Sequence, residues 1–139
     1  MKIDSIYTGI VIDHITAGSG MLLYDLLDLD SLDCSVALLK NVFSKKQGKK
    51  DIIKIAADIP VNLDIIGYVD PGATVNIIKD GLLVEKKTIE MPETLTNVLT
   101  CKNPRCISSV EQELDQVFKL TDREHKIYRC LYCETQAGK

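Results

Sequence analysis

Cys101-Lys102-Asn103-Pro104-Arg105-Cys106 and Cys130-Leu131-Tyr132-Cys133 are two close pairs of thiols with twenty-three residues between them. Four thiolates suit a tetrahedral ion, zinc above all, and each close pair sets two sulfurs on one tight turn. Pro104 and its polar neighbours fit such a turn, and the intervening residues leave room for a strand or two that folds one pair onto the other. A centre filled by four thiolates leaves no position open to water or substrate, so it reads as structural and not catalytic. Lys102, Arg105 and Arg129 can offset the negative charge that four thiolates leave around one Zn2+.

Other uses of the same thiols fit less well. Disulfides call for an oxidising compartment, whereas the chain starts Met1-Lys2-Ile3-Asp4 with no apolar signal segment and carries a fifth cysteine, Cys34, in an apolar context. Cys34 reads as a small buried hydrophobe, and the expected location is the cytoplasm. A redox dithiol at Cys130 and Cys133 would want a βαβ pattern around it, and the flanking sequence has none.

Working outward, the 139 residues are 45% hydrophobic and 27% charged, an ordinary globular composition that allows one domain or two small ones. No run approaches the roughly eighteen apolar residues of a membrane span. The net charge of −3 divides unevenly: residues 1–96 hold ten Lys/Arg against fourteen Asp/Glu, and residues 97–139 hold seven against six. Four thiolates and one Zn2+ would bring the second part to about −1, which leaves little electrostatic basis for nucleic-acid binding.

Toward the N-terminus, Ile3 to Ile15 reads as a mostly buried strand ending at Asp13-His14. Ala17-Gly18-Ser19-Gly20 breaks it, and Leu22, Leu23, Leu26 and Leu27 recur at helical spacing over Met21–Asp28. The glycines lack a phosphate-loop pattern and read as a plain turn. Asp33–Phe43 and Asp51–Ala56 are the next strands, joined by a lysine-rich polar loop over Ser44–Lys50. A second helix is expected over Asp58–Tyr68, capped by Asp58 with Pro60 in its first turn. Asp80-Gly81 between Thr74–Lys79 and Leu82–Ile89 is a two-residue hairpin signal.

The order strand, helix, strand, strand, helix, strand, strand predicts an α+β, ferredoxin-like antiparallel sheet with two helices. Met91-Pro92-Glu93 marks a boundary, giving domains over 1–92 and 93–139, the second a small zinc-bound all-β domain. A piece of that size usually needs a metal or a partner to fold. A structural zinc, with its ~10–16 kcal/mol of apparent binding free energy, would meet that need.

Several unrelated motifs now agree at compatible spacings. Gly9-x-Val11-Ile12-Asp13-His14-Ile15, Lys50-Asp51-Ile52-Ile53-Lys54-Ile55, Ala73-Thr74-Val75-Asn76, Cys101-x-Asn103-x-x-Cys106-Ile107-Ser108 and Tyr132-Cys133-Glu134 resemble, in order, the regulatory chain of aspartate carbamoyltransferase. The resemblance implies a non-catalytic subunit of pyrimidine biosynthesis. Its N-terminal domain would bind the effectors CTP and ATP and pair with a second regulatory chain, and its zinc domain would dock on the catalytic chain. By matching position, Asp13, His14, Lys54, Asn76 and Lys86 would line the nucleotide site, with Val11, Ile52 and Ile78 as apolar neighbours.

The residue types suit that role. A nucleoside triphosphate needs cations on rigid elements: Lys86 and His14 for the phosphates, Lys54 nearer the ribose or base. Asp13 can accept from a ribose hydroxyl, and Asn76 can both donate and accept. Taken singly, each of these residues is as well explained as a solvated side chain on a strand. Two readings from other classes stand beside this one. A zinc-ribbon nucleic-acid-binding module would need a basic face with exposed aromatics, and the charge balance disfavours it. An enzyme acting on nucleotides would need a second carboxylate or base beside Asp13-His14, and none is placed at a recognisable spacing.

Overall fold

The computed structural model describes residues 7–137, so the start of the expected first strand, from Ile3, lies outside the described residues. The chain separates into two compact units, Met1–Glu90 and Met91–Lys139.

The first unit holds five strands, β1 (Gly9–Thr16), β2 (Val36–Ser44), β3 (Gly48–Ile55), β4 (Thr74–Lys79) and β5 (Leu82–Thr88), with helices α1 (Gly20–Leu26) and α2 (Leu63–Val69). All pairings are antiparallel and the sheet order is β2-β3-β1-β4-β5. The first four strands follow the ferredoxin-like order, and β5 adds an edge through the predicted hairpin. Asp80 and Gly81 take φ of 53° and 77°, the left-handed pair that a two-residue turn with Lys79 opposite Leu82 requires.

Apolar alternation decides which face is the core. Ile10, Ile12 and Ile15 of β1, Ile53 and Ile55 of β3, and Val75 of β4 are buried, together with Leu23 of α1 and Ile65, Ile66 and Tyr68 of α2. The step from Ile12 to Ile15 breaks period two. A β-bulge absorbs it: Ile12 pairs with Ile53 and Ile15 with Asp51, so Asp13 and His14 together oppose Ile52. The strand therefore does not end at Asp13-His14, as its polarity suggested, but continues to Thr16 with His14 at φ 60°.

A second bulge, at Lys40 and Asn41 of β2, lies opposite Asp51. The fully buried Asp51 carboxylate ties these irregularities together, accepting from the backbone N–H of Gly18 (3.1 Å), Gly20 (3.0 Å) and Asn41 (3.0 Å). This fixes the plain turn before α1. A Cβ at Gly20 would sit 2.7 Å from Asp51 Oδ2 and 2.9 Å from Leu38 Cδ1, so the close approach excludes any side chain there.

Several boundaries differ from expectation: among the described residues β1 is a strand only from Gly9, and β2 starts at Val36 and not at Asp33. α2 starts at Leu63, capped by Asn62, whose side chain accepts from the N–H of Asp64 (3.0 Å) and Ile65 (3.4 Å). Asp58 instead pairs with Lys79 across 3.4 Å, because an extended stretch separates it from the helix. β3 begins at Gly48, three residues before Asp51, and so takes Lys49 and Lys50 out of the loop and into the sheet.

The second unit is an antiparallel sheet of order β6-β7-β8, with β6 (Thr94–Thr96), β7 (Val117–Asp122) and β8 (Ile127–Cys130), and a single helical turn α3 (Ile107–Val110). Leu95, Phe118 and Tyr128 are buried, and the Tyr128 hydroxyl donates to the Pro92 carbonyl at 2.5 Å. Among the described residues, no helix is long and apolar enough to cross a membrane.

Candidate functional site

Two places concentrate chemistry: the thiols of the second unit and the sheet face of the first that turns away from its core. The thiols come first because their geometry is the tighter.

Cys101 and Cys106 lie on the turn before α3, with Cys106 at its N-cap position; Cys130 ends β8 and Cys133 follows on the next turn. The turns are built by local hydrogen bonds. Cys106 N–H donates to the Asn103 carbonyl, and Glu134, at φ 65°, sends its N–H back to the Cys130 carbonyl at 2.9 Å. Gln116 of the segment before β7 clips the first turn to the sheet, accepting from Cys101 N–H (3.0 Å) and donating to the Ser108 carbonyl (2.7 Å).

As a result the four sulfurs lie within 4.8 Å of one another, with Cys101–Cys133 at 3.5 Å and Cys106–Cys130 at 3.6 Å. Bonded sulfurs would stand about 2.05 Å apart, and all four cysteines are free thiols. Sulfurs held tetrahedrally at about 2.3 Å from one ion are about 3.8 Å apart, so the donor set fits a thiolate-bound metal. Cys101, Cys106 and Cys130 are buried, which limits access to such an ion.

The thiols are not equivalent. Burial pushes Cys101 up to about 12, whereas the Thr135 hydroxyl and backbone bring Cys133 down to about 6. The Ser108 hydroxyl, 3.0 Å from Cys106 Sγ, lowers that thiol too. A metal takes all four as thiolates, so its binding releases protons, Cys101 supplying one at neutral pH. Arg129, expected to lend charge to the centre, donates to the Glu134 carbonyl at 3.1 Å and so braces the second turn.

In the first unit, register gathers the expected effector residues. Directly opposed residues share a face, and the pairs Lys54–Val11, Val11–Asn76 and Asn76–Lys86 form one row across β3, β1, β4 and β5. The row lies on the face opposite Ile12, Ile53 and Val75. Ile52 is two residues from Lys54 on the same face, and Ile78 two from Asn76. Lys86 is exposed and the rest are half-buried.

Asp13 and His14 stand at the bulge. The Asp13 carboxylate takes the His14 N–H at 2.6 Å and the Lys50 ammonium at 2.9 Å, while His14 Nδ1 lies 3.1 Å from Thr74 Oγ1. Burial raises the Asp13 carboxyl, but Lys50 and His14 more than offset it and hold it below its ordinary value. Lys50 is the residue that sequence reasoning missed here. Composition groups it with the loop lysines, although Lys50, Ile52 and Lys54 alternate with the buried Asp51, Ile53 and Ile55, and that period of two is its signal.

Comparison with known proteins covers both units. Residues 1–90 match the family model described as aspartate carbamoyltransferase regulatory chain, allosteric domain, and residues 93–139 match its metal binding domain. The aspartate carbamoyltransferase regulatory chain of Clostridium tetani is 47% identical over 96% of this chain and 94% of its own length. Those of Clostridium botulinum and Bifidobacterium longum are 45% and 41% identical, covering 96% and 99% of this chain and 92% and 99% of theirs. On matches that span both units, the chain belongs to the family of aspartate carbamoyltransferase regulatory chains.

Proposed function

We propose that this chain is a non-catalytic subunit that binds CTP and ATP on the outer face of its first sheet and thereby controls catalytic trimers of aspartate carbamoyltransferase. The observation that carries the reading is the Lys54–Val11–Asn76–Lys86 row, cations at both ends of one rigid sheet face, in a chain of this family. Lys86 and His14 take the phosphates, Lys54 the ribose or base, and Asp13 and Asn76 the hydroxyl and amino groups, over Val11, Ile52 and Ile78. Residues 1–92 form the effector domain and pair with a second regulatory chain. Residues 93–139 hold Zn2+ through Cys101, Cys106, Cys130 and Cys133 and dock on the catalytic chain. Four reduced thiols suit a cytoplasmic setting.

The zinc supplies structure, not chemistry: it closes the two turns that present the second unit to its partner. Control then depends on differential affinity, since an effector shifts the assembly only by as much as it prefers one state over the other, typically ~1–3 kcal/mol. Calorimetric titration of CTP and ATP into the zinc-loaded chain, alone and with catalytic trimers, tests the reading. Micromolar to millimolar binding that weakens in Lys86→Ala and changes when trimers are added is expected. Trimers that associate with a chain that binds neither nucleotide would reduce it to a structural linker.

A further inference from the structure

Two β-bulges meet at β3. In β1 the pair Asp13-His14 opposes Ile52, and in β2 the pair Lys40-Asn41 opposes the next residue, Asp51. The two are built alike. In each the second residue has left-handed backbone, His14 at φ 60° and Asn41 at φ 59°, and a carboxylate takes its N–H. Asp13 Oδ1 accepts from His14 at 2.6 Å, and Asp51 Oδ1 accepts from Asn41 at 3.0 Å. Bulges interrupt the ladder and bend the strand that carries them. Set against neighbouring residues of β3, these two mark a line across β2, β3 and β1 at which the sheet can flex.

One dipeptide joins the two bulges from opposite faces. The Lys50 ammonium lies 2.9 Å from the Asp13 carboxylate on the outer face, whereas the Asp51 carboxylate, fully buried on the core face, holds Asn41. The other Asp51 oxygen holds the N–H groups of Gly18 and Gly20, where α1 begins. The row Lys54–Val11–Asn76 crosses the sheet on one side of the line, and Lys50 pairs with Val42 on the other. Asp13 and His14 stand on the line itself.

Resting on the effector reading above, we infer that the paired bulges are a hinge latched by Asp51, through which an effector held between the Lys54 row and Asp13-His14 sets the position of the far half of the edge strand β2. A ligand that draws on Asp13 pulls on Lys50, its ion-pair partner. Asp51, the next residue, takes Asn41 with it, because a buried carboxylate oxygen that loses its N–H donor has no water to replace it. The second bulge thus follows the first, and the edge of the sheet answers to a ligand that does not touch it.

The test is amide hydrogen exchange, read by NMR on the full zinc-loaded chain with and without saturating CTP or ATP. Nucleotide is expected to slow exchange of the Asn41 N–H about tenfold, the scale of a typical coupling between sites. The Ala56 N–H, which bonds the Ser35 carbonyl where β2 begins, should be unchanged. In Asp51→Asn, whose side-chain amide cannot accept from Asn41 and from the glycines at once, nucleotide should bind but no longer slow Asn41. Lys50→Ala keeps every bond of the Asp51 carboxylate, so it tests the same route should Asp51→Asn fail to fold, and at saturating nucleotide it is expected to lose the same effect. Nucleotide that binds the unaltered chain without slowing Asn41, or that slows it equally in Lys50→Ala or in a folded Asp51→Asn, overturns the hinge and leaves the effector reading standing. Equal slowing at Ala56 also overturns it, since the ligand would then stabilise the whole unit. An unaltered chain that binds neither nucleotide overturns the effector reading and this inference with it.

Discussion

The first unit buries isoleucines, leucines and a valine on one side of a five-stranded sheet. In the second, by contrast, three of the seven buried apolar side chains among the described residues are cysteines. The two sheets sit in one chain but draw their stability from different sources. Apolar burial of about 25 cal/mol per Å2 suffices where a sheet carries two helices. A three-stranded sheet with one helical turn has too few such residues, and the thiols occupy the place where its core would be. The second unit should therefore depend on a bound metal, and the first should not.

Metal removal is the sharpest way to break that contrast. With a chelator, or in Cys130→Ser, backbone hydrogen exchange should become fast throughout β6–β8 while β1 and β3 remain protected. The scale is the ~10–16 kcal/mol of apparent free energy that zinc lends small structural sites. Protection that survives in β7 and β8 without metal would show that Leu95, Phe118 and Tyr128 hold the unit by themselves.

The converse change is smaller. Ile12 is fully buried at the centre of the first sheet, and Ile12→Ala should cost ~2–5 kcal/mol through lost burial and the cavity left behind. A denaturant titration should show this as an earlier transition of the first unit, with metal content by elemental analysis unchanged. Metal loss in this variant would mean that the two sources of stability are not separate.

Features set by local chemistry were legible in the sequence, and those set by register were not. The Asp80-Gly81 turn follows from two residues that accept positive φ, and the four-thiol cluster follows from spacing, because each pair is confined to one turn. The bulge at Asp13-His14 was hidden: polarity there imitates a strand end, and only the burial of Ile15 beyond it reveals that the strand goes on. The inward odd step also places Lys50 beside Asp13, a contact across strands that no local pattern encodes. The single row from Lys54 to Lys86 likewise spans four strands, and strand order is a property of the whole sheet.

The start of α2 offers a finer comparison, between a cap used and a cap only expected. Asn62→Ala should destabilise the first unit by ~1 kcal/mol, since two N–H groups at the helix start lose their acceptor. Asp58→Ala removes only an exposed ion pair with Lys79 and should cost less than about 0.5 kcal/mol. Equal effects in thermal melts would restore Asp58 as part of the helix start.

Acid separates the units in another way. Asp13 is held below its ordinary 3.8 by Lys50 and His14, so the folded state binds its proton less readily than the unfolded chain does. The resulting stabilisation is complete above the ordinary carboxyl range and is lost as pH falls through the lower, folded value. The pair is partly exposed, which keeps the contribution to about 1 kcal/mol or less. Asp13→Asn should therefore lower the urea midpoint of the first unit slightly at pH 7, and the difference from the unaltered chain should shrink toward pH 3. The second unit should respond to the same acid for another reason and sooner, since protonating its thiolates would release a bound metal. A first unit that instead melted together with the second on acidification would tie the bulge to the metal, and the contrast between a sheet held by its core and one held by its ligands would fail.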